Sequence, residues 1–115
     1  MLLALDVGNS NTVLGVFREK KLIANWRLTT ARDRTIDEYG ILTRDLFTLA
    51  KLKPDEIGGV IISSVVPPLN STLAGMAEGY FSRKALFVEP GIKTGMAVLV
   101  DNPLATYPRL KEMLQ

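Results

Sequence analysis

The sequence predicts one α/β domain of element order β-β-β-α-β-α-β, with a mixed sheet and flanking helices. Two observations carry this prediction. The first 28 residues hold three short apolar runs separated by turn residues, which is the pattern of an antiparallel meander. Beyond Thr35 the apolar spacing becomes helical, and helix and strand patterns then alternate, as crossover connections require.

Leu2 to Val7 is an apolar run suited to a buried strand, and Val13 to Phe17 is a second one after a turn of Gly, Asn and Ser. Leu22 to Leu28, with Trp26 inside it, is the third, and Glu19-Lys20-Lys21 is the charged turn before it. Thr35-Ile36-Asp37-Glu38 has capping-box spacing, so a helix starts there. Tyr39, Leu42, Leu46 and Leu49 mark its inward face, and it should end near Lys51 to Lys53, ahead of Pro54. Gly40 costs that helix about 1 kcal/mol against alanine, which points to close packing at that position.

Val60 to Val66 reads as a buried strand, and Pro67-Pro68 fits a helical first turn, where a missing N–H is harmless. Leu69, Leu73, Met76, Ala77 and Tyr80 give the second helix its inward face. Ala85 to Val88 is a short strand, and Glu89-Pro90-Gly91 and Lys93-Thr94-Gly95 are loop. Met96 to Val100 is a candidate strand, Asp101-Asn102-Pro103 a turn, and Pro108 to Gln115 a candidate for two helical turns. A three-stranded meander continued by α/β crossovers is the topology of the ribonuclease-H-like fold, shared by actin, the heat-shock ATPases and sugar kinases.

Composition narrows the chemistry. The 115 residues contain no cysteine and no histidine, so disulfides, thiolate metal sites and imidazole bases are excluded. Acid–base or metal chemistry must use Asp, Glu, Lys, Tyr or backbone groups, which suit magnesium before zinc. A net charge of +2 is too small to argue for nucleic acid. The N-terminus lacks the pattern of a signal peptide, and no apolar run approaches the ~20 residues that span a bilayer. The expectation is a cytoplasmic protein without membrane or nucleic-acid partners.

The strongest candidate site is the first turn. A strand ends on Asp6 and the chain reverses through Gly8-Asn9-Ser10-Asn11. Gly8 can take positive φ and let the backbone approach an anion. Successive N–H groups then form a nest for phosphate oxygens, with side-chain donors from Ser10, Asn11 and Thr12. A carboxylate beside phosphates needs a cation between them, so Asp6 is a candidate magnesium ligand, directly or through water. The same residues also make an ordinary hairpin turn. Arg27, Arg32 and Arg34 against Asp33 either attract an anionic substrate or partner, or form a solvated loop. Ser63 and Ser64 sit at the carboxyl end of a strand, where they either line a substrate site or bond the backbone. Trp26, Tyr39 and Tyr80 read as core or interface residues, and Glu38 as a cap.

With these residues placed, the chain resembles the type III pantothenate kinases. Asp6-Val7-Gly8-Asn9-Ser10-Asn11-Thr12 is similar to the family's first phosphate motif. Thr35 to Gly40, Ser63 to Pro68, Pro90 to Gly95 and Asp101-Asn102-Pro103 resemble further signatures in family order, covering residues 1 to about 104. The resemblance implies an enzyme that transfers the γ-phosphoryl group of ATP to pantothenate in coenzyme A biosynthesis. It implies ATP-phosphate contacts from Asp6 through Val13, Mg2+ at Asp6, and a monovalent cation (K+ or NH4+). It also implies a homodimer, and a site between two ribonuclease-H-like domains.

The family continues after Asp-Asn-Pro into a Gly-Ala-Asp-Arg motif that holds pantothenate and supplies the general base. This chain reads Leu104-Ala105-Thr106-Tyr107-Pro108-Arg109 instead. The expected organisation is therefore a phosphate-binding domain over 1–104 and a tail over 105–115 outside the family pattern. No catalytic base and no second domain are expected within the chain, which by itself should be inactive as a kinase. The alternative is a non-catalytic phosphate-binding or self-associating module derived from the same fold.

Overall fold

The computed structural model describes residues 1–19 and 21–88. Five strands form one sheet: β1 (Leu2–Val7), β2 (Asn11–Arg18), β3 (Lys21–Thr29), β4 (Gly59–Ser64) and β5 (Ala85–Val88). Helix α1 (Ile36–Leu49) precedes β4, and α2 (Asn70–Phe81) precedes β5. The strand order is β3-β2-β1-β4-β5. β2 pairs antiparallel with β1 and β3, whereas β4 pairs parallel with β1 and β5. The predicted mixed sheet is thus present. The candidate strand at 96–100, the loops and turn around it and the candidate helix at 108–115 lie outside the described residues.

β1 is central, and its uninterrupted apolar run follows from burial on both faces. Leu3, Leu5 and Val7 join Leu14, Val16, Val60 and Ile62 in the core that also holds α1 and α2. Leu2, Ala4, Phe17 and Ile61 are also buried but outside that cluster, as the alternation of a strand requires. β3 shows the alternation of a half-buried strand, with Trp26 inward and Arg27 exposed. Trp26 packs on Phe47 with ring centroids 5.8 Å apart, and Phe47 on Phe81 at 5.2 Å. These tilted pairs tie β3 to both helices.

α1 starts as predicted. The Thr35 hydroxyl accepts the Glu38 N–H at 3.1 Å, and Glu38 accepts the Thr35 N–H at 3.0 Å. Its inward face differs from the predicted one. Tyr39, Gly40, Thr43 and Phe47 are buried, Leu42 and Leu46 flank them, and Leu49 is 80% exposed. The leucine spacing lies to one side of the face that Phe47 defines. α1 also stops at Leu49, short of Lys51. Lys51 takes φ 59°, Leu52 N–H bonds the Phe47 carbonyl at 2.8 Å and Lys51 N–H bonds that of Thr48 at 3.1 Å. This left-handed cap is usually glycine, and its lysine hides the helix end from a sequence reading.

Three further differences are local. Lys21 pairs with Arg18 as the first residue of β3 instead of lying in the turn. Pro54–Glu56 and Pro67–Leu69 are short 3-10 turns, so α2 begins only at Asn70 and β4 ends at Ser64. Phe81 joins the core of α2, while Tyr80 is half-buried and lies over Gly40. The close packing expected at Gly40 is therefore present, and a second glycine contact mirrors it: a Cβ on Gly75 would come within 2.6 Å of Ile36.

Candidate active site

The parallel arrangement of β1 and β4 brings their carboxyl ends to one edge of the sheet. Asp6 is in register with Ser63 of β4 and with Val13 of β2. Odd-numbered β1 residues face the helices, so Asp6, Val13 and Ser63 share the opposite face. Asp6 and Val13 are half-buried. Ser63 is 3% exposed, and its hydroxyl is buried without a hydrogen-bond partner among the described residues. Ser64 differs: its Oγ accepts the Val66 N–H at 3.0 Å and holds the chain as it leaves β4. Ser63 therefore belongs with Asp6, and Ser64 with the backbone.

The β1–β2 turn extends from the same edge, with Asn9, Ser10 and Asn11 exposed. Gly8 N–H donates to the Asn11 carbonyl at 2.9 Å, so this N–H is used inside the turn. The φ of Gly8 lies outside the left-handed region, contrary to the expectation for this residue. Glycine is needed for proximity instead, because a Cβ would stand 3.1 Å from the Asn11 carbonyl oxygen. The Val7 side chain is buried in the core, leaving only its backbone at the edge.

Thr30, just beyond β3, holds the turn from the side. Its hydroxyl donates to the Gly8 carbonyl at 2.7 Å, and its N–H donates to the Ser10 carbonyl at 2.9 Å. With the Thr30 proton on Gly8, the buried Thr12 hydroxyl is the donor in the 2.9 Å contact with Thr30 Oγ1. Thr12 thus serves inside the turn and not as an outward donor. Among the described residues, the Asn9 and Ser10 N–H groups donate to no acceptor, and the Asn11 N–H, on the side of β2 that faces Gly8, does not bond the Gly8 carbonyl. Three neighbouring N–H groups are thus unengaged at this exposed turn.

The arginines separate into different roles. Arg32 reaches the turn, donating to Asn9 Oδ1 at 3.2 Å. Arg34 donates to the Thr29 carbonyl at 2.9 Å and lies over the Tyr39 ring. Arg27 is exposed on β3, in the row of Val13 and Asp6. One cation therefore stands at the turn, one braces the β3–α1 connection, and one faces solvent. Thr30 escaped the sequence reading. The signal was the hairpin register, which sets residue 30 beside residue 10.

Among the described residues, no group of three or more carboxylates could cage a metal, and no helix is long and apolar enough to cross a membrane. A single carboxylate such as Asp6 suits, of the metals, an ion that keeps several waters and takes few protein ligands, as Mg2+ does.

The family model for type III pantothenate kinase matches residues 2–106. The type III pantothenate kinase of Myxococcus xanthus is 55% identical over 103 residues, covering 90% of this chain and 40% of the relative. That of Koribacter versatilis is 54% identical, covering 90% and 41%. The chain thus spans about two fifths of the length of these relatives. The ROK hexokinase of Thermus thermophilus superposes with a TM-score of 0.58 at 12% identity, over 77% of this chain and 35% of that one. RuvC of T. thermophilus, solved with a Holliday junction, gives 0.50 at 11% identity, over 77% and 64%. These two show the fold alone, the ribonuclease-H-like one. The chain belongs to the type III pantothenate kinase family.

Proposed function

We propose that this chain supplies the ATP-phosphate half of a pantothenate kinase, which moves the γ-phosphoryl group of ATP to pantothenate and gives 4'-phosphopantothenate for coenzyme A biosynthesis. The observation that carries the reading is the β1–β2 turn. It offers the N–H groups of Asn9, Ser10 and Asn11 at the end of the sheet where Asp6 and Val7 close β1.

Phosphoryl transfer depends mainly on positioning and charge stabilisation. The turn would fix the phosphate oxygens, and Arg32, already on Asn9, would add positive charge beside them. Asp6, with the Ser63 hydroxyl in register beside it, would hold Mg2+ directly or through water. Magnesium, when bound, would neutralise negative charge on the phosphates. Ser63 would lie on the substrate side of that carboxylate.

The monovalent cation, the homodimer and a cytoplasmic setting are proposed with the family. Nothing in a net charge of +2 favours a nucleic-acid partner. Leu104 to Arg109 stand where the family carries its Gly-Ala-Asp-Arg motif, so the 115 residues by themselves should bind nucleotide without transferring phosphate.

Titration calorimetry tests the binding half. Heat from MgATP, weakened about tenfold or more in Asp6→Asn and dependent on magnesium, is the expected result. The absence of binding to the unaltered chain would favour a non-catalytic module. A coupled assay of these 115 residues should show no pantothenate-dependent turnover, and robust turnover would contradict the assignment of only half a site.

A further inference from the structure

The phosphate turn would, by its own local geometry, close into an ordinary two-residue hairpin. In such a hairpin the residues flanking the loop exchange both backbone bonds. Here those residues are Gly8 and Asn11, and only one of the two bonds is present. Gly8 N–H donates to the Asn11 carbonyl, but the Gly8 carbonyl accepts from the Thr30 hydroxyl at 2.7 Å. The Asn11 N–H is left without an acceptor among the described residues.

We infer that Thr30 is the positioning residue that keeps the donors of the phosphate turn open, by holding the Gly8 carbonyl away from the Asn11 N–H. The inference rests on the phosphate-site reading given above and adds a residue outside the Asp6 to Val13 stretch. A carbonyl and the next residue's N–H belong to one rigid unit and point in opposite directions. Thr30 ties back the Gly8 carbonyl through its hydroxyl and the Ser10 carbonyl through its N–H. The Asn9 and Asn11 N–H groups, on those same two peptide units, are thereby turned away from Thr30. The Thr12 hydroxyl, donating to Thr30 Oγ1 at 2.9 Å, fixes the rotamer that aims the Thr30 proton at Gly8.

Thr30→Val keeps the shape of the side chain and removes the hydroxyl. The Gly8 carbonyl is then released from Thr30, and the ordinary hairpin bond from the Asn11 N–H can form. The turn loses one of its three donors, and affinity should fall on the order of tenfold, the scale of one or two hydrogen bonds. Thr30→Ser restores the hydroxyl and should recover most of the loss.

Two measurements test this on the full chain. Calorimetry with MgATP should rank unaltered chain and Thr30→Ser together, with Thr30→Val about tenfold weaker; equal affinity for Thr30→Val would overturn the inference. Amide exchange without nucleotide gives an independent reading. The Asn11 amide should exchange fast in the unaltered chain and in Thr30→Ser, and become protected in Thr30→Val. If the chain binds no MgATP, the phosphate-site reading fails by itself, and amide exchange still decides what Thr30 does. Unchanged exchange at Asn11 in Thr30→Val would overturn the inference. Should Thr30→Val fail to fold, Thr30→Ala carries the same two readouts.

Discussion

Gly40 offers the sharpest test of how the two helices meet. It lies in the second turn of α1, on the buried face, and a Cβ added there would overlap the Tyr80 ring, not merely its tip. In an open helix interior, Gly→Ala gains about 1 kcal/mol from propensity. Overpacking costs about 1–3 kcal/mol, and contact with several ring atoms places this case at the upper end. Moving the half-buried ring aside instead would break the hydrogen bond from Tyr80 to Asp37. Gly40→Ala should therefore lower stability by about 1–2 kcal/mol and the melting midpoint by roughly 4–10 °C. Gly79 in α2 provides the control, because a Cβ there meets nothing within 4 Å. Gly79→Ala should stabilise by about 0.5–1 kcal/mol. Thermal melts of both variants, repeated in a Tyr80→Ala background, complete a double-mutant cycle. Without the tyrosine ring, Gly40→Ala should become stabilising. If Gly40→Ala raises the midpoint in the unaltered background, the packing argument is refuted.

Other predictions concern the same core and its surface. Phe47→Ala removes a ring packed on Trp26 and Phe81 and should cost about 3–5 kcal/mol, whereas Leu49→Ala should stay within about 0.5 kcal/mol; urea midpoints compare the two. The Tyr80 hydroxyl is pushed above its ordinary 10.0, first by its hydrogen bond to Asp37, then by desolvation and the Asp37 charge, with Arg44 opposing. A raised folded value means that this contribution to stability is whole below pH 10.0 and is lost as pH climbs through the folded pKa. NMR titration of the tyrosine rings should find Tyr80 ionising late, and earlier in Asp37→Asn; an unchanged midpoint in the variant would rule out Asp37 as the cause.

The parts of the fold legible in the sequence were those set by local pattern. β1 appears at its observed bounds because both faces of the run are apolar, and α1 starts where Thr35 and Glu38 form their capping box. The helix ends were harder to read because Lys51 and Ser82 take left-handed φ without a glycine to announce it. In α1 the leucines at helical spacing draw the eye to a face beside the one that Tyr39 and Phe47 bury, and Phe47 is what Trp26 and Phe81 pack on. At the site, the Asp6 to Asn11 motif is contiguous and could be read directly. The Asp6–Ser63 register and the Thr30 bridge join residues far apart in sequence, so they emerge only from strand pairing. Gly8 stands out in the sequence as a residue free to take positive φ, whereas the turn needs it for proximity to Asn11.

Amide-resolved NMR of the chain during titration with MgATP locates the phosphates residue by residue. The amides of Asn9, Ser10 and Asn11 should shift first and furthest, amides flanking Asp6 should follow only when magnesium is present, and Asp6→Asn should remove the second effect. Saturable binding that leaves those three amides unmoved, with shifts elsewhere, would contradict the assignment of the β1–β2 turn as the phosphate site.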